Sequence, residues 1–119
     1  MKQEEFNNTF RFRTKQLALD TIYVMDGIKY SDALGVIRKQ LFRSVTSVAA
    51  NFRAICRARS EKEKFAKLCI VVEEADETIF WLELMEETNK ISREKIIPLY
   101  KEAEEILKVM SAYKAKIQS

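Results

Sequence analysis

The side chains in this 119-residue sequence that could do chemistry are carboxylates, guanidinium groups, amines and two thiols, because histidine is absent. Without histidine the sequence cannot form a Ser-His-Asp or Cys-His catalytic site, an HExxH zinc helix or the Glu-x-x-His ligand pairs of di-iron bundles. The two cysteines, Cys56 and Cys69, lie thirteen positions apart and form no CxxC motif. We expect both to be reduced, buried thiols in a cytoplasmic protein.

One acidic motif could bind a metal ion. Glu73, Glu74 and Glu77 form an E-E-x-x-E spacing, in which Glu73 and Glu77 lie one helical turn apart and could bind Mg²⁺ through oxygen. All-α nucleotide pyrophosphohydrolases combine such a motif with an E-x-x-D pair on the following helix, where this sequence offers only Glu102 and Glu105. Half of the ligand set is therefore missing. We expect no metal, no cofactor and no catalytic residue, and keep Mg²⁺-dependent nucleotide hydrolysis as a third hypothesis.

Basic and acidic side chains are segregated along the chain. Residues 38–67 contain nine basic and two acidic side chains, and residues 68–94 contain eight acidic and two basic ones, although the net charge is only +3. A helix over the first segment places four cations within about 80° of each other, opposite its apolar residues. The predicted nucleic-acid-binding residues are these four cations and Arg59: Lys39, Arg43, Arg53, Arg57 and Arg59.

Three interpretations of this basic ridge remain open. The ridge could bind the phosphates of RNA or DNA, although few aromatic residues interleave it and base stacking is therefore poorly supported. It could instead pair with a predicted acidic interface, in the same or a neighbouring subunit, formed by Glu73, Asp76, Glu83 and Glu87. It could also simply be solvated, since charge on the outer face of a helix is the default arrangement.

Helices must position these charges, because the composition leaves little room for other structure. The chain has two glycines, one proline, 47% hydrophobic and 33% charged residues, which is too few turn residues for a β-sandwich or a doubly wound α/β domain. The length predicts a single domain over residues 1–119. The first ten residues contain no apolar signal segment, and the longest apolar run, residues 68–72, cannot span a membrane. We expect a soluble, cytoplasmic, all-α protein.

Four segments have helical periodicity. The first covers about residues 5–25 and ends before Gly27, which we expect to be a left-handed C-cap. Ser31, Ser60 and Ser92 are the expected N-caps of the next three helices. Pro98 predicts a kink in the fourth helix, or a helix that is regular only after that residue. The short loops predict an antiparallel up-down-up-down four-helix bundle.

Two features predict that the bundle has a further partner. Residues 68–72 are apolar all round the third helix, whereas a bundle helix normally buries one face. The second helix also carries a row of small residues that would let another backbone approach, either within the bundle or from another subunit. This row consists of Ser44, Ser47, Ala50, Asn51, Ala54 and Ala58.

Particular residues resemble a known family. Residues 40–51 read QLFRSVTSVAAN, residues 57–60 read RARS, Phe65 follows, and residues 73–84 read EEADETIFWLEL. Over about residues 10–112 this pattern resembles the bacterial four helix bundle protein family, which includes proteins encoded by intervening sequences within 23S ribosomal RNA genes. The sequence departs from many family members at Ala54-Ile55, where they carry Glu-Gly.

The resemblance implies a four-helix bundle that assembles into a ring-like homopentamer without an established enzymatic activity. A related group, the accessory variability proteins of diversity-generating retroelements, forms basic pentameric barrels that bind a reverse transcriptase and nucleic acid. The leading hypothesis is therefore a non-enzymatic, oligomeric interaction protein that binds RNA, DNA or a nucleic-acid-handling protein and no membrane. The alternative is a purely structural or protein-binding adaptor whose charges serve assembly.

Overall fold

Four α-helices account for nearly all of residues 2–118, which are the residues that this computed structural model describes. The helices are α1 (Gln3–Asp26), α2 (Asp32–Cys56), α3 (Glu61–Glu87) and α4 (Arg93–Gln118), joined by loops of four or five residues. No strand occurs in this part of the chain, so the prediction of an all-α fold is confirmed.

Each helix packs against two others. Helix α2 packs against α1 and α3, and α4 packs against α3 and α1. Within the described residues, the α-carbons of α1 and α3, and those of α2 and α4, do not come within 8 Å of each other. The four helices therefore occupy the corners of a square bundle with extents of 44 × 23 × 20 Å. Helices α1 and α3 lie at opposite corners, and each helix keeps one side facing outward.

The core is built from apolar residues that recur every three or four positions along the helices. In α2 all of these are buried except the half-buried Ile37: Leu34, Ile37, Leu41, Val45, Val48, Phe52 and Ile55. In α3 Leu68, Ala75, Ile79 and Leu82 are buried, and Phe65 and Val72 are half-buried. Four aromatic residues close one end of the bundle: Phe6, Phe10, Phe52 and Tyr113. The ring centroids of Phe6 and Tyr113 are 5.0 Å apart, and those of Phe10 and Phe52 are 6.4 Å apart. This cluster joins α1, α2 and α4.

The helix ends confirm two predicted caps and correct one. The Ser31 hydroxyl accepts from the Leu34 N–H at 3.2 Å, and the Ser60 hydroxyl accepts from the Glu63 N–H at 3.0 Å. The prediction of a left-handed cap at Gly27 is wrong, since its φ is −82°. The Ile28 N–H instead reaches back to the Met25 carbonyl at 3.2 Å, which closes the helix without a left-handed residue.

The left-handed conformation occurs after α3 instead, at Asn89, whose φ is 57°. Asparagine tolerates this region better than most residues with a side chain, so it can reverse the chain between α3 and α4.

Pro98 does not delay the start of α4. The helix begins at Arg93 and runs through Pro98 to Gln118, so the prediction of a helix regular only after Pro98 is wrong. Proline removes only its own bond to the Glu94 carbonyl, whereas the preceding turn is closed by the Lys95 N–H on the Ser92 carbonyl at 3.0 Å. Ile96 and Leu99, on either side of the proline, are both buried and hold this turn against the core.

Cys56 and Cys69 are free and half-buried. Burial raises the pKa of the Cys56 thiol, although nearby Arg11 opposes this effect. The raised pKa favours the protonated, unreactive thiol. Among the described residues, no helix combines the length and apolarity required to cross a bilayer.

Candidate interaction surfaces

Arg43 lies at the centre of a polar network between α2 and α3. Its guanidinium donates to Glu74 Oε2 at 2.8 Å and also to Glu77 Oε1. Trp81 Nε1 donates to the same Glu77 oxygen at 3.0 Å. Hydrogen bonds from Arg43 and then Trp81 hold the pKa of Glu77 at about 2, against an ordinary value of 4.5. The network therefore fixes a charged carboxylate against α2 at all physiological pH values.

A second polar contact lies directly beside this network. The hydroxyls of Ser44 and Thr78 are 3.0 Å apart, and both residues are buried. Arg43, Ser44, Glu74, Glu77 and Thr78 all belong to the sequence segments that carry the family resemblance. In this chain these residues therefore determine how α2 pairs with α3, and Ser44 of the small-residue row packs within the bundle.

Arg43, which the sequence places in the basic ridge, pairs with acids of α3 although its side chain stays 48% exposed. Arg43 was expected to bind phosphates or to pair with Glu73, Asp76 or Glu83, but it binds Glu74 and Glu77 instead. Lys39 lies exposed beside Tyr30 and Val36, near the start of α2. Arg59 lies in the loop before α3, with its Nε 3.9 Å from Glu63 Oε2.

Arg53 and Arg57 line a groove between α1 and α2, which we call the cationic groove. The other two cations in its lining, Arg11 and Lys15, come from α1. No acidic side chain lines the groove, and Arg53, Arg57 and Lys15 form no ion pair with any described residue. The structure thus brings two of the predicted site residues together with two that sequence reasoning missed.

Small and apolar side chains form most of the rest of the cationic groove, with Asn8 and Thr46 as polar members. Ala18, Ala49 and Ala50 line it, and Phe12 and Leu19 line it from α1. Phe12 is 66% exposed. Phe12, Leu19 and Tyr23 lie off the buried side of α1, spaced by seven and four residues, and this spacing is the signal in the sequence that could have identified α1 as a second interaction helix.

The predicted acidic residues form one outward row on α3, which we call the acidic row: Glu73, Asp76, Glu83 and Glu87. All four are exposed, and the Tyr100 hydroxyl donates to Glu83 Oε1 at 3.3 Å. Phe80 lies in the middle of the row, four residues after Asp76 and three before Glu83, and is 51% exposed. Ile70 is also exposed on α3, whereas Leu68 and Val71 of the same apolar run are buried in the core.

The acidic motif is not arranged as a metal site. Glu74 and Glu77 point to Arg43, while Glu73 faces outward. On α4, Glu102 accepts from Arg13 Nε at 2.9 Å and from Arg13 Nη2 at 2.6 Å. No group of three or more carboxylate or thiol side chains converges within residues 2–118. Two of the three carboxylates proposed as Mg²⁺ ligands, Glu74 and Glu77, therefore pair α3 with α2, whereas Glu73 is exposed.

Comparisons with known proteins agree with this architecture. A family model described as 23S rRNA-intervening sequence protein matches residues 12–112. Among solved structures, the chain is similar to a protein from Bacteroides thetaiotaomicron described as having unknown function and as coming from the S23 ribosomal protein family. The two are 29% identical, the similarity covers 92% of this chain and 97% of the other, and the TM-score is 0.82. No curated protein matches the sequence.

Proposed function

Because the chain belongs to the 23S rRNA-intervening sequence protein family, whose solved relative has no stated function, we propose a function from the surfaces themselves. The protein is a non-enzymatic, cytoplasmic interaction protein that acts as an oligomer of antiparallel four-helix bundles. The pairing of Glu74 and Glu77 with Arg43 supports the non-enzymatic role, since these are two of the three carboxylates, with Glu73, that the Mg²⁺-dependent hypothesis requires.

One observation carries the oligomer: large apolar side chains are exposed on α1 and on the opposite helix α3, as Val36 also is on α2. Phe12 and Tyr23 on α1 are 66% and 73% exposed, and Phe80 on α3 is 51% exposed. Exposed apolar groups that recur along one face of a helix mark interaction sites, whereas isolated ones need no explanation. The ring-like homopentamer expected from the family resemblance would cover both helices in every subunit, because a ring joins two different surfaces of each copy.

A second candidate function, RNA or DNA binding, is favoured by the cationic groove. Four cations without an acid form the kind of surface that releases counterions from a phosphate backbone. Lys39 and Arg59 are exposed on either side along the chain and could extend such a contact. In an adaptor whose charges serve assembly alone, the same cations would be covered by protein.

Native mass spectrometry with a single-stranded RNA of about 20 nucleotides tests both candidates. We expect the wild-type chain to have a mass that is a multiple of 13.9 kDa. A single-chain mass at micromolar concentration would contradict the oligomer. If RNA binds, the logarithm of the association constant should fall linearly with the logarithm of the salt concentration. RNA binding should be lost in the double variant Arg53→Glu, Arg57→Glu. A matched variant, Lys101→Glu, Lys108→Glu, makes the same charge change on α4 and should behave as wild type.

A further inference from the structure

We propose that the acidic row of one copy of this chain, with Phe80 at its centre, docks into the cationic groove of a second copy. This inference rests on the proposed oligomer and names the two surfaces that form it. It follows from three independent features of the described residues. Phe80 is an exposed aromatic side chain packed on Trp81, small residues line part of the cationic groove, and unpaired charges of opposite sign surround the groove and the acidic row.

Phe80 is held in place before any partner arrives. Its ring packs edge-on against Trp81, with the centroids 4.9 Å apart and the planes at 74°. Trp81 is in turn anchored by its hydrogen bond to Glu77, which Arg43 holds from α2. An exposed aromatic side chain that is already positioned loses little conformational freedom on binding, so its burial contributes more fully to affinity.

The cationic groove offers small and apolar side chains to such a ring. Ala18, Ala49 and Ala50 are among its lining residues, together with the larger apolar side chains of Phe12, Leu19 and Ile22. Small residues at a helix surface let a neighbouring helix approach closely, and the ring of Phe80 can then fill the space above them. Phe12, itself largely exposed in the single chain, becomes covered by the same contact.

The charges around the two surfaces are complementary. Glu73 and Asp76 precede Phe80 on the outer face of α3, and Glu83 and Glu87 follow it. Opposite them, Arg11, Lys15, Arg53 and Arg57 flank the apolar part of the groove. A nucleic acid would satisfy these cations but would leave Phe80 uncovered on α3. A second copy satisfies the cations, the acids and both apolar surfaces at once, which favours this chain as the occupant.

The two surfaces lie on different parts of one molecule. The groove is formed by α1 and α2, whereas the row lies on α3, at the corner opposite α1. Contact between them is therefore head-to-tail: each copy that uses its row keeps its groove available for another copy. Such contacts continue until the rotation between copies closes a ring, or else produce a filament.

Complementation between two defective chains tests this arrangement. The groove variant is Arg53→Glu, Arg57→Glu, and the row variant is Phe80→Ser. Each variant alone should have the mass of a single 13.9 kDa chain. The groove variant retains an intact row and the row variant retains an intact groove. An equimolar mixture should therefore form a dimer containing one copy of each, and no larger species, when followed by sedimentation velocity.

Controls separate failure of this interface from failure of the oligomer. The helical circular dichroism of each variant should match wild type, and a second row variant, Glu73→Ala, Asp76→Ala, should complement the groove variant if Phe80→Ser does not fold. Two outcomes would overturn the proposed interface but not the oligomer. In the first, the wild type is oligomeric and the variants keep its mass. In the second, the variants are monomeric and their mixture stays monomeric. A monomeric wild type would overturn the oligomer as well, and RNA binding by that monomer, lost in the groove variant, would assign the groove to nucleic acid.

Discussion

The hydroxyl of Thr21 is buried on α1 and has no hydrogen-bond partner among the described residues. A buried hydroxyl without a partner has given up its hydrogen bonds to water and gains nothing in return. We predict that Thr21→Val, which keeps the shape and removes the hydroxyl, raises the free energy of unfolding by about 1 kcal/mol. Urea unfolding followed by circular dichroism measures this change.

Thr78 provides the matched control for Thr21. It is equally buried, but its hydroxyl lies 3.0 Å from that of Ser44 and 2.8 Å from the Glu74 carbonyl. Thr78→Val should therefore lower the free energy of unfolding by about 1 kcal/mol, because it removes the hydroxyl that bonds to Ser44 and to the Glu74 carbonyl, while Ser44 keeps its own bond to the Leu41 carbonyl. If the two substitutions have the same sign, the difference between a satisfied and an unsatisfied hydroxyl does not control their stability.

The lowered pKa of Glu77 predicts a specific dependence of stability on pH. Its pKa is about 2 in the folded chain and 4.5 ordinarily, so ionised Glu77 stabilises the fold above pH 4.5, and this contribution disappears as the pH falls through about 2. The free energy of unfolding of Glu77→Gln should therefore lie below that of wild type above pH 4.5, and the gap should close toward pH 2. A gap that stays constant from pH 7 to pH 2 would contradict this assignment.

Residue types alone predicted only part of the surface chemistry. The charges of α2 and α3 and the exposure of the acidic row could be read from helical spacing. Spacing cannot show which neighbouring helix a charge faces, so Arg43 was placed in the ridge although it turns toward α3. Arg11, Lys15 and Phe12 were missed for the same reason, since they join Arg53 and Arg57 only after α1 packs beside α2.

At the scale of the helices, the N-cap of α3 should contribute measurable stability. Ser60 accepts from the Glu63 N–H at 3.0 Å and precedes a helix of 27 residues. Replacing such a cap by alanine leaves one first-turn N–H without its partner, so Ser60→Ala should lower the free energy of unfolding by about 1 kcal/mol. Ser60→Asp keeps an acceptor and should stay close to wild type, whereas equal losses in both variants would argue against capping as the cause.

The helices themselves could be predicted well, and their ends less well. Apolar residues spaced by three and four positions located the elements, most clearly in α2 and α4, where apolar and polar residues are well separated on opposite faces. Gly27 and Pro98 show that one residue type permits several conformations: glycine ends α1 without a positive φ, and α4 includes Pro98 instead of becoming regular only after it. These outcomes depend on the packing around the residue rather than on its type.

At the scale of the whole molecule, the main structural feature is that two surfaces with exposed apolar side chains, the cationic groove and the acidic row, lie on different sides of the bundle. The core is closed by four helices, yet α1 and α3 each present large apolar side chains outward, one beside cations and the other among acids. Large apolar side chains exposed on two helices are unfavourable in a monomeric protein, because exposed apolar area favours association. Assembly of copies accounts for both surfaces, and the family resemblance leads us to expect five.

The central claim is that other copies of the chain cover Phe12 and Phe80 in solution, and hydroxyl-radical footprinting measures this coverage directly. In the wild-type protein at micromolar concentration, we expect both rings to be modified as slowly as the buried Phe52. In the groove variant Arg53→Glu, Arg57→Glu, both rings should be modified rapidly, as their exposure of 66% and 51% in the single chain predicts. Rapid modification of both rings in the wild-type protein would contradict the claim.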